Sequence, residues 1–258
     1  MIETWRWFGP KDSISLQMIA QAGASGIVTS LHDIPTGEIW SSEAIVARKN
    51  EIEAGGLEWT VIESIPLHND IKTRTGNFEH YIENYKQSIK NAGEAGIDTI
   101  CYNFMPVVDW TRTNLNYKLP NSSFALRFEM TDFVAYDVYM LKRPGAENDY
   151  SDALKDKALS RLNNMSEHEK TLLEQNIKAA IDQFIQLGTE GLRENLFLFL
   201  QAIIPVAEQY RVKMCIHPDD PPFTLFGLPR VVSTQDDARK LLDAVPSPAN
   251  GLTMCAGS

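Results

Sequence analysis

The sequence is poor in cysteine and has no long apolar run. Its three cysteines, Cys101, Cys215 and Cys255, are too few and too scattered for a disulfide framework. Nowhere do about 18 apolar residues follow one another, the length that a membrane helix needs. The opening stretch MIETWRWFGPKDS contains no apolar core of signal-peptide length. These absences predict a cytoplasmic protein in a reducing compartment, with no membrane partner.

Several other signals are missing. The formal net charge is −10, and no cluster of Lys and Arg is present that would neutralise a phosphate backbone, so we expect no nucleic-acid partner. The chain has no P-loop, no G-x-S-x-G elbow and no dinucleotide-binding glycine fingerprint. The common nucleotide-dependent and serine-hydrolase classes are therefore not indicated.

What the sequence does contain is a regular alternation of β-rich apolar segments and amphipathic segments. The β-rich segments are residues 2–8, 26–31, 58–65, 98–104, 212–217 and 251–257, and the helical ones are 13–22, 42–54, 77–95 and 192–210. Ser13, Ser42 and Asn77 are expected to cap the first three helices. This order predicts successive βα units around a parallel sheet, and 258 residues suit a (β/α)8 barrel.

The alternation stops after the fourth strand and resumes only near residue 188. Such a long excursion is typically a lid or an inserted subdomain. Within it, FALRFEM alternates like an exposed strand, and Ser166 and Glu169 have capping-box spacing. We therefore expect one TIM-type domain over residues 1–258, with a lid-like inserted subdomain at about 106–188.

The strand count leaves a question about closure. A barrel of this type needs eight strands, whereas the pattern predicts six, the last of them ending beside Ser258. We expect a barrel that is incomplete at its C-terminal end, unless the count is wrong or another chain completes the sheet. Open strand edges and apolar surface would favour association, so we expect a homo-oligomer, specifically a dimer.

Chemically useful side chains lie at the predicted carboxyl ends of the strands, where barrels of this type carry their active sites. Arg6 needs an acidic partner, which a ligand carboxylate or Glu63 would provide. His32 is suited to reach an anionic sugar acid, or else belongs to a simple turn. Trp110, at the start of the excursion, either closes over a polar ligand or anchors the insert. Asn103 ends the fourth strand.

His217 and Cys255 end the fifth and sixth predicted strands. Neighbouring parallel strands would bring both within reach of one metal ion. Asp219 and Asp220 would then orient His217 through its second ring nitrogen. The alternative is a buried structural cysteine and a hydrogen-bonded loop histidine. Spacing alone favours that structural alternative.

Six blocks of sequence together resemble the mannonate dehydratase family. They are WRWFGPKDSISL, GIVTSLHDIPTGEIW, VIESIPLHNDIKT, CYNFMPVVDWTRT, CIHPDDPPFTLFGLPRVV and GLTMCAGS, in that order along essentially the whole chain. The resemblance implies a xylose-isomerase-like TIM barrel. It also implies the dehydration of D-mannonate to 2-keto-3-deoxy-D-gluconate in hexuronate (glucuronate) breakdown.

The resemblance also implies roles for individual residues. His217 and Cys255 match family metal ligands, and the expected metal is Mn²⁺ or Fe²⁺, although a histidine with a cysteine would by itself suggest zinc. Arg6, His32, Asn103 and Trp110 are assigned to the substrate, a small sugar acid. The other family ligands and the tyrosine implicated in proton transfer would lie beyond Ser258, so no base is assigned.

Two alternatives remain open at this point. One is a metal-dependent aldose–ketose isomerase on the same barrel, which would share the ion but expel no water. The other is an inactive barrel fragment that binds sugar acids.

Overall fold

The computed structural model describes residues 1–106, 112–164 and 178–256. The strands in these ranges are β1 (Thr4–Arg6), β2 (Gly26–Thr29), β3 (Glu58–Glu63), β4 (Thr99–Tyr102), β5 (Asn114–Lys118), β6 (Phe124–Arg127), β7 (Lys213–Ile216) and β8 (Asn250–Leu252). The helices are α1 (Leu16–Gln21), α2 (Ser42–Ala54), α3 (Asn69–Thr73), α4 (Phe78–Glu94), α5 (Met130–Val134), α6 (Asp152–Asn163), α7 (Lys178–Gln209) and α8 (Gln235–Ala244). A π-helical turn, Ala135–Met140, continues α5, and Gly188, at φ 69°, interrupts the helical geometry of α7.

Six of the strands form one parallel sheet in the order β1-β2-β3-β4-β7-β8. Each is one of the six strands expected from the sequence, and the predicted parallel α/β arrangement is confirmed. The remaining two, β5 and β6, form a separate antiparallel hairpin. The FALRFEM segment supplies β6, one of whose faces is exposed as the alternation predicts.

The chain divides into two compact units. The first comprises Met1–Met105, Thr189–Pro222 and Val231–Ser258 and holds the parallel sheet. The second comprises Pro106–Gly188 and Phe223–Arg230 and holds the hairpin, α5 and α6. The second unit thus takes in the predicted insert together with Phe223–Arg230, a short segment that the sequence pattern did not single out.

The expected helix caps need correction at two positions. Ser15, not Ser13, caps α1 through its hydroxyl, which accepts from Met18 N, and Ser41, not Ser42, caps α2. In both cases another serine lies one or two residues away, and the one that caps is the residue just before the first helical turn. Asn77 does occupy the cap position of α4, but its side chain makes no capping bond there. Ser166 and Glu169 lie outside the described residues.

No helix in residues 1–106, 112–164 and 178–256 combines the length and the apolar run that would span a bilayer.

Phe199 is the centre of the packing between the sheet and its helices. It is fully buried on α7, and its ring lies 5.3 Å from that of Tyr85 on α4, 6.1 Å from that of Tyr102 on β4 and 5.8 Å from that of Phe104. Because aromatic rings combine a large buried area with edge-on contacts, this cluster fixes the carboxyl end of β4 against α4 and α7.

We predict that Phe199→Ala lowers the free energy of unfolding by about 3–5 kcal/mol, because it leaves a cavity among three rings. Urea unfolding followed by circular dichroism measures the change. Phe124→Ala is the control, since that ring is exposed on the hairpin and its loss should cost no more than about 0.5 kcal/mol. Equal losses in the two variants would contradict the assigned role of Phe199.

Candidate metal and sugar-acid site

The two faces of the parallel sheet differ in burial. The outer face, under the helices, carries Ile27, Ile62, Ile100, Met214 and Ile216, which are completely buried. The opposite face, here called the inner face, carries Arg6, Val28, Val61, Glu63, Cys101 and Cys215, of which only Cys101 is fully buried. Since successive side chains of a strand alternate between faces, the polar and reactive groups gather on the inner face.

The strand register aligns these inner-face positions. Glu63 pairs with Cys101, and Cys101 pairs with Cys215. The ladder continues past the strands, because His217 N donates to Tyr102 O at 2.6 Å. Asn103 and His217 each lie two residues beyond a paired cysteine, so both follow on the inner face at the carboxyl edge of the sheet.

Cys255 follows β8 at the same edge. Thr253 N donates to Ile216 O at 2.8 Å, so the β8 segment stays paired with β7 beyond Leu252. Thr253 and Cys255 are half-buried whereas Met254 between them is exposed, which indicates that both face inward. The structure therefore brings Asn103, His217 and Cys255 to one edge of three adjacent strands.

The imidazole of His217 is held by its own loop. The ring is buried, and Nδ1 lies 2.7 Å from the carbonyl oxygen of Pro218. A carbonyl can only accept, so Nδ1 must donate, and in the neutral ring the lone pair is then on Nε2. This tautomer is the one that a metal-binding histidine adopts when it coordinates through Nε2.

Asp219 organises the segment that follows. Its buried Oδ2 atom accepts from Val231 N at 3.0 Å, from Val232 N at 2.7 Å and from the Ser233 hydroxyl at 2.9 Å. Asp220 is half-buried beside it. Sequence reasoning expected both aspartates to orient the imidazole through its second ring nitrogen. The bonds described here are instead from His217 Nδ1 to the Pro218 carbonyl and from the loop segment Val231–Ser233 to Asp219 Oδ2.

Thr253 is a residue that sequence reasoning missed. Its hydroxyl donates to Cys215 O at 3.2 Å, so the Cys101 thiol, at 3.2 Å, must be the donor to that hydroxyl. One threonine thus ties β8 to β7 and β4, two residues before Cys255. Its signal was the alternation of inner-face positions in GLTMC. Burial raises the pKa of Cys101 to about 12, so this thiol is protonated at neutral pH.

Arg6 is an inner-face cation at the end of β1. Its Nη1 atom donates to the backbone oxygen of Glu63 and lies 3.5 Å from Glu63 Oε2, and its guanidinium lies 5.2 Å from the Phe8 ring. Burial lowers the pKa of Arg6, and the charges of Glu63 and Cys101 oppose that shift. In the described part of the chain its buried Nε atom has no hydrogen-bond acceptor.

His32 lies near Arg6 at the end of β2. Its ring centroid is 6.0 Å from that of Phe8. Partial burial lowers the pKa of His32, and the positive charges of Arg6 and Arg48 lower it further, against the opposing effect of Asp33. At neutral pH the imidazole is therefore uncharged.

The described residues do not form a complete set of metal ligands. Residues 1–106, 112–164 and 178–256 contain no group of three or more His, Cys, Asp or Glu side chains arranged to hold a metal ion. His217 and Cys255 would thus supply two ligands of a larger set. Trp110 lies outside the described residues.

The chain is similar to known proteins over its whole length. The family described as D-mannonate dehydratase (UxuA) matches residues 1–258. The mannonate dehydratase of Saccharophagus degradans is 68% identical over 274 aligned residues, which cover 100% of this chain and 69% of the relative. That of Marinomonas sp. is 52% identical and covers 100% and 70% respectively.

Solved structures agree on the fold. The crystal structure of mannonate dehydratase from Streptococcus suis serotype 2 has a TM-score of 0.78 and 40% identity, covering 100% of this chain and 65% of that one. D-psicose 3-epimerase has a TM-score of 0.50 at 11% identity, which is a likeness of fold alone. The predicted TIM-type fold class is confirmed.

This chain thus spans about two thirds of the length of these relatives. With a full-length family match and 68% identity to a curated mannonate dehydratase, the hydro-lyase class predicted from the six sequence blocks is confirmed. The chain belongs to the D-mannonate dehydratase family.

Proposed function

We propose that this chain acts as a mannonate dehydratase, converting D-mannonate to 2-keto-3-deoxy-D-gluconate and water in hexuronate breakdown. One observation carries the proposal: His217 and Cys255 follow neighbouring strands at the carboxyl edge of the sheet, in a chain 68% identical to a curated mannonate dehydratase. That edge is where barrels of this type bind substrate.

We propose that His217 and Cys255 are two ligands of a divalent ion, Mn²⁺ or Fe²⁺. Support comes from the His217 tautomer, because its Nδ1–H bond to Pro218 O leaves the lone pair on Nε2. The chemistry that such an ion supplies is positive charge near the substrate carboxylate, which lowers the cost of removing the C2 proton. Loss of the C3 hydroxyl then completes the dehydration.

We propose that Arg6, His32, Asn103 and Trp110 bind the substrate. For Arg6 the support is a partly exposed guanidinium on the inner face, where the contact with Glu63 uses only part of its donor fork. For His32 the support is its neutral state, in which one ring nitrogen donates and the other accepts, as hydroxyl recognition requires. Asn103 offers an amide at the same sheet edge.

We also propose that the protein assembles as a homo-oligomer, a dimer. Trp5 on β1 and Leu252 and Met254 at β8 are exposed apolar side chains on the two strands at the ends of the sheet order. Such surface favours association. Light scattering of the purified protein tests this, and a mass of one chain at all concentrations would contradict it.

We predict that His217→Ala and Cys255→Ala each lower turnover of D-mannonate with added Mn²⁺ by more than about 100-fold, since each removes a ligand. Formation of 2-keto-3-deoxygluconate and bound manganese are measured together. His80→Ala is the control, because that histidine is exposed on α4.

The identity of the product separates the rival reactions. A 2-keto-3-deoxy acid requires dehydration, whereas an isomerase would return a sugar isomer without loss of water. Binding of D-mannonate with no product, in protein that holds manganese, would contradict the proposed activity and favour a sugar-acid-binding chain.

We predict that His32 titrates with a midpoint below its ordinary value of about 6.5, and that Arg6→Met raises this midpoint. The variant removes a cation that lowers the pKa of His32, and it also leaves the Glu63 carboxylate without its ion-pair partner. Proton NMR of the imidazole ring follows the titration. Arg239→Met is the control, because it removes an equal charge from an exposed position on α8. If Arg6→Met leaves the titration midpoint of His32 unchanged, the proposed electrostatic effect of Arg6 on His32 is contradicted.

A further inference from the structure

One peptide unit connects the imidazole of His217 to the rest of the loop. The Pro218 carbonyl, which accepts from His217 Nδ1, belongs to the same planar peptide as the Asp219 N–H. That N–H donates to Val232 O at 2.9 Å. Because the peptide is rigid, whatever fixes the Asp219 N–H also fixes the oxygen that selects the histidine tautomer.

The Asp219 side chain fixes the same peptide a second time. Its Oδ2 atom accepts from the backbone of Val231 and Val232 and from the hydroxyl of Ser233. One carboxylate thus joins the beginning of the loop after β7 to its end. Asp219 is 2% exposed. A buried carboxylate is tolerated only where donors compensate for its lost hydration, and the bonds from Val231, Val232 and Ser233 do so here.

A second buried carboxylate supports the first. Asp237 Oδ2 accepts from Ser233 N at 3.2 Å and from the backbone and hydroxyl of Thr234 at 3.0 and 2.9 Å, while Oδ1 accepts from Arg193 Nη2 at 2.9 Å. Burial raises the pKa of Asp237, but the bonds from Thr234, Ser233 and Arg193 outweigh it and lower the net value. Asp237 is therefore charged at neutral pH.

Ser233 joins the two carboxylates. Its hydroxyl donates to Asp219 and its backbone N–H donates to Asp237. The result is a continuous series of contacts from α7 to the loop after β7, running Arg193, Asp237, Ser233, Asp219, and then the peptide that holds His217. Glu190, which is largely exposed, forms an ion pair with Nη1 of Arg193.

We propose that Asp219, Ser233, Asp237 and Arg193 are positioning residues that hold the Pro218–Asp219 peptide and so set the orientation and tautomer of His217 for metal binding. The inference rests on the proposed function, because it assumes that His217 is a ligand. A purely stabilising role is the weaker explanation, since apolar side chains of similar size stabilise a buried site as well as an ion pair does, without fixing a direction.

Two variants test the proposal at the loop. Asp219→Asn removes the carboxylate charge, so the bonds that Oδ2 accepts from Val231, Val232 and Ser233 lose their charge-assisted strength. Ser233→Ala removes only the hydroxyl bond and keeps the backbone bond to Asp237. Manganese affinity is measured by the electron paramagnetic resonance signal of free Mn²⁺. We expect manganese affinity to fall by roughly 10- to 100-fold in Asp219→Asn, which is the usual effect of losing a residue that orients a metal ligand without binding the metal itself. In Ser233→Ala we expect a smaller decrease.

Ser247→Ala is the matched control. Ser247 also donates its hydroxyl to a carboxylate, Glu208 at 2.5 Å, and accepts from Ala249 N. It precedes β8, and these side-chain bonds do not involve the Asp219 loop. We expect unchanged manganese affinity in this variant even where its unfolding midpoint falls. Wild-type affinity in both Asp219→Asn and Ser233→Ala would overturn the proposal.

The tautomer of His217 gives a readout that needs no metal. Nitrogen-15 NMR of the metal-free protein should show protonated Nδ1 in the wild type and a mixture of tautomers in Asp219→Asn. If the wild-type chain binds no manganese, the proposed metal site fails while this spectrum still decides the positioning role. An unchanged His217 spectrum in Asp219→Asn would reject that role whatever the metal result.

Discussion

The register of the parallel sheet is the constraint on which the site depends. Glu63, Cys101 and Cys215 are paired across β3, β4 and β7, and Asn103 and His217 follow two residues later on the same face. A slip by one residue would turn these side chains under the helices and expose the apolar outer face. Burial of Ile100, Met214 and Ile216 therefore specifies the register. The apolar side of the sheet decides where its polar side chains meet.

The charged groups of the first unit are held in two different ways. Arg6 and Glu63 form a half-buried pair at 3.5 Å, in which the buried Nε atom of the guanidinium has no acceptor among the described residues. Asp219 and Asp237, by contrast, are nearly enclosed and surrounded by donors. Hydrogen bonds to charged groups contribute about 1.5–3 kcal/mol each, and losing one partner of a buried charge costs more than that. The first arrangement suits ligand binding and the second suits fixed geometry.

The sequence predicted the six strands of the sheet because each lies in a β-rich segment that alternates with helical ones. It also predicted that Asn103, His217 and Cys255 reach the carboxyl edge, since that follows from strand ends alone. Helix starts were less certain: Ser13 and Ser15 have the same chemistry, and only the backbone path decides which hydroxyl meets an amide. The Thr234–Asp237 capping box was not predicted, and neither was the bond from Arg193 to Asp237, which joins residues 44 positions apart.

Contacts between distant segments account for the remaining differences. The bond of Asp219 to Val231–Ser233 spans a segment, Phe223–Arg230, that belongs to the second unit. No local pattern in HPDDPP reveals that a carboxylate there would meet three donors more than ten positions later. Likewise, the donation from Thr253 to Cys215 depends on pairing between β7 and β8, which the spacing of single residues does not encode.

The partner of His217 Nδ1 has a further consequence for the proposed chemistry. In the proposed site, which would contain a cysteine ligand and admit an anionic sugar acid, a carboxylate at that nitrogen would add further negative charge. The Pro218 carbonyl selects the same tautomer without adding a charge. Asp219 acts on that carbonyl through the peptide, and the bonds from Val231, Val232 and Ser233 stabilise its own carboxylate. In the proposed site the loop would thereby orient the imidazole without adding a negative charge beside it.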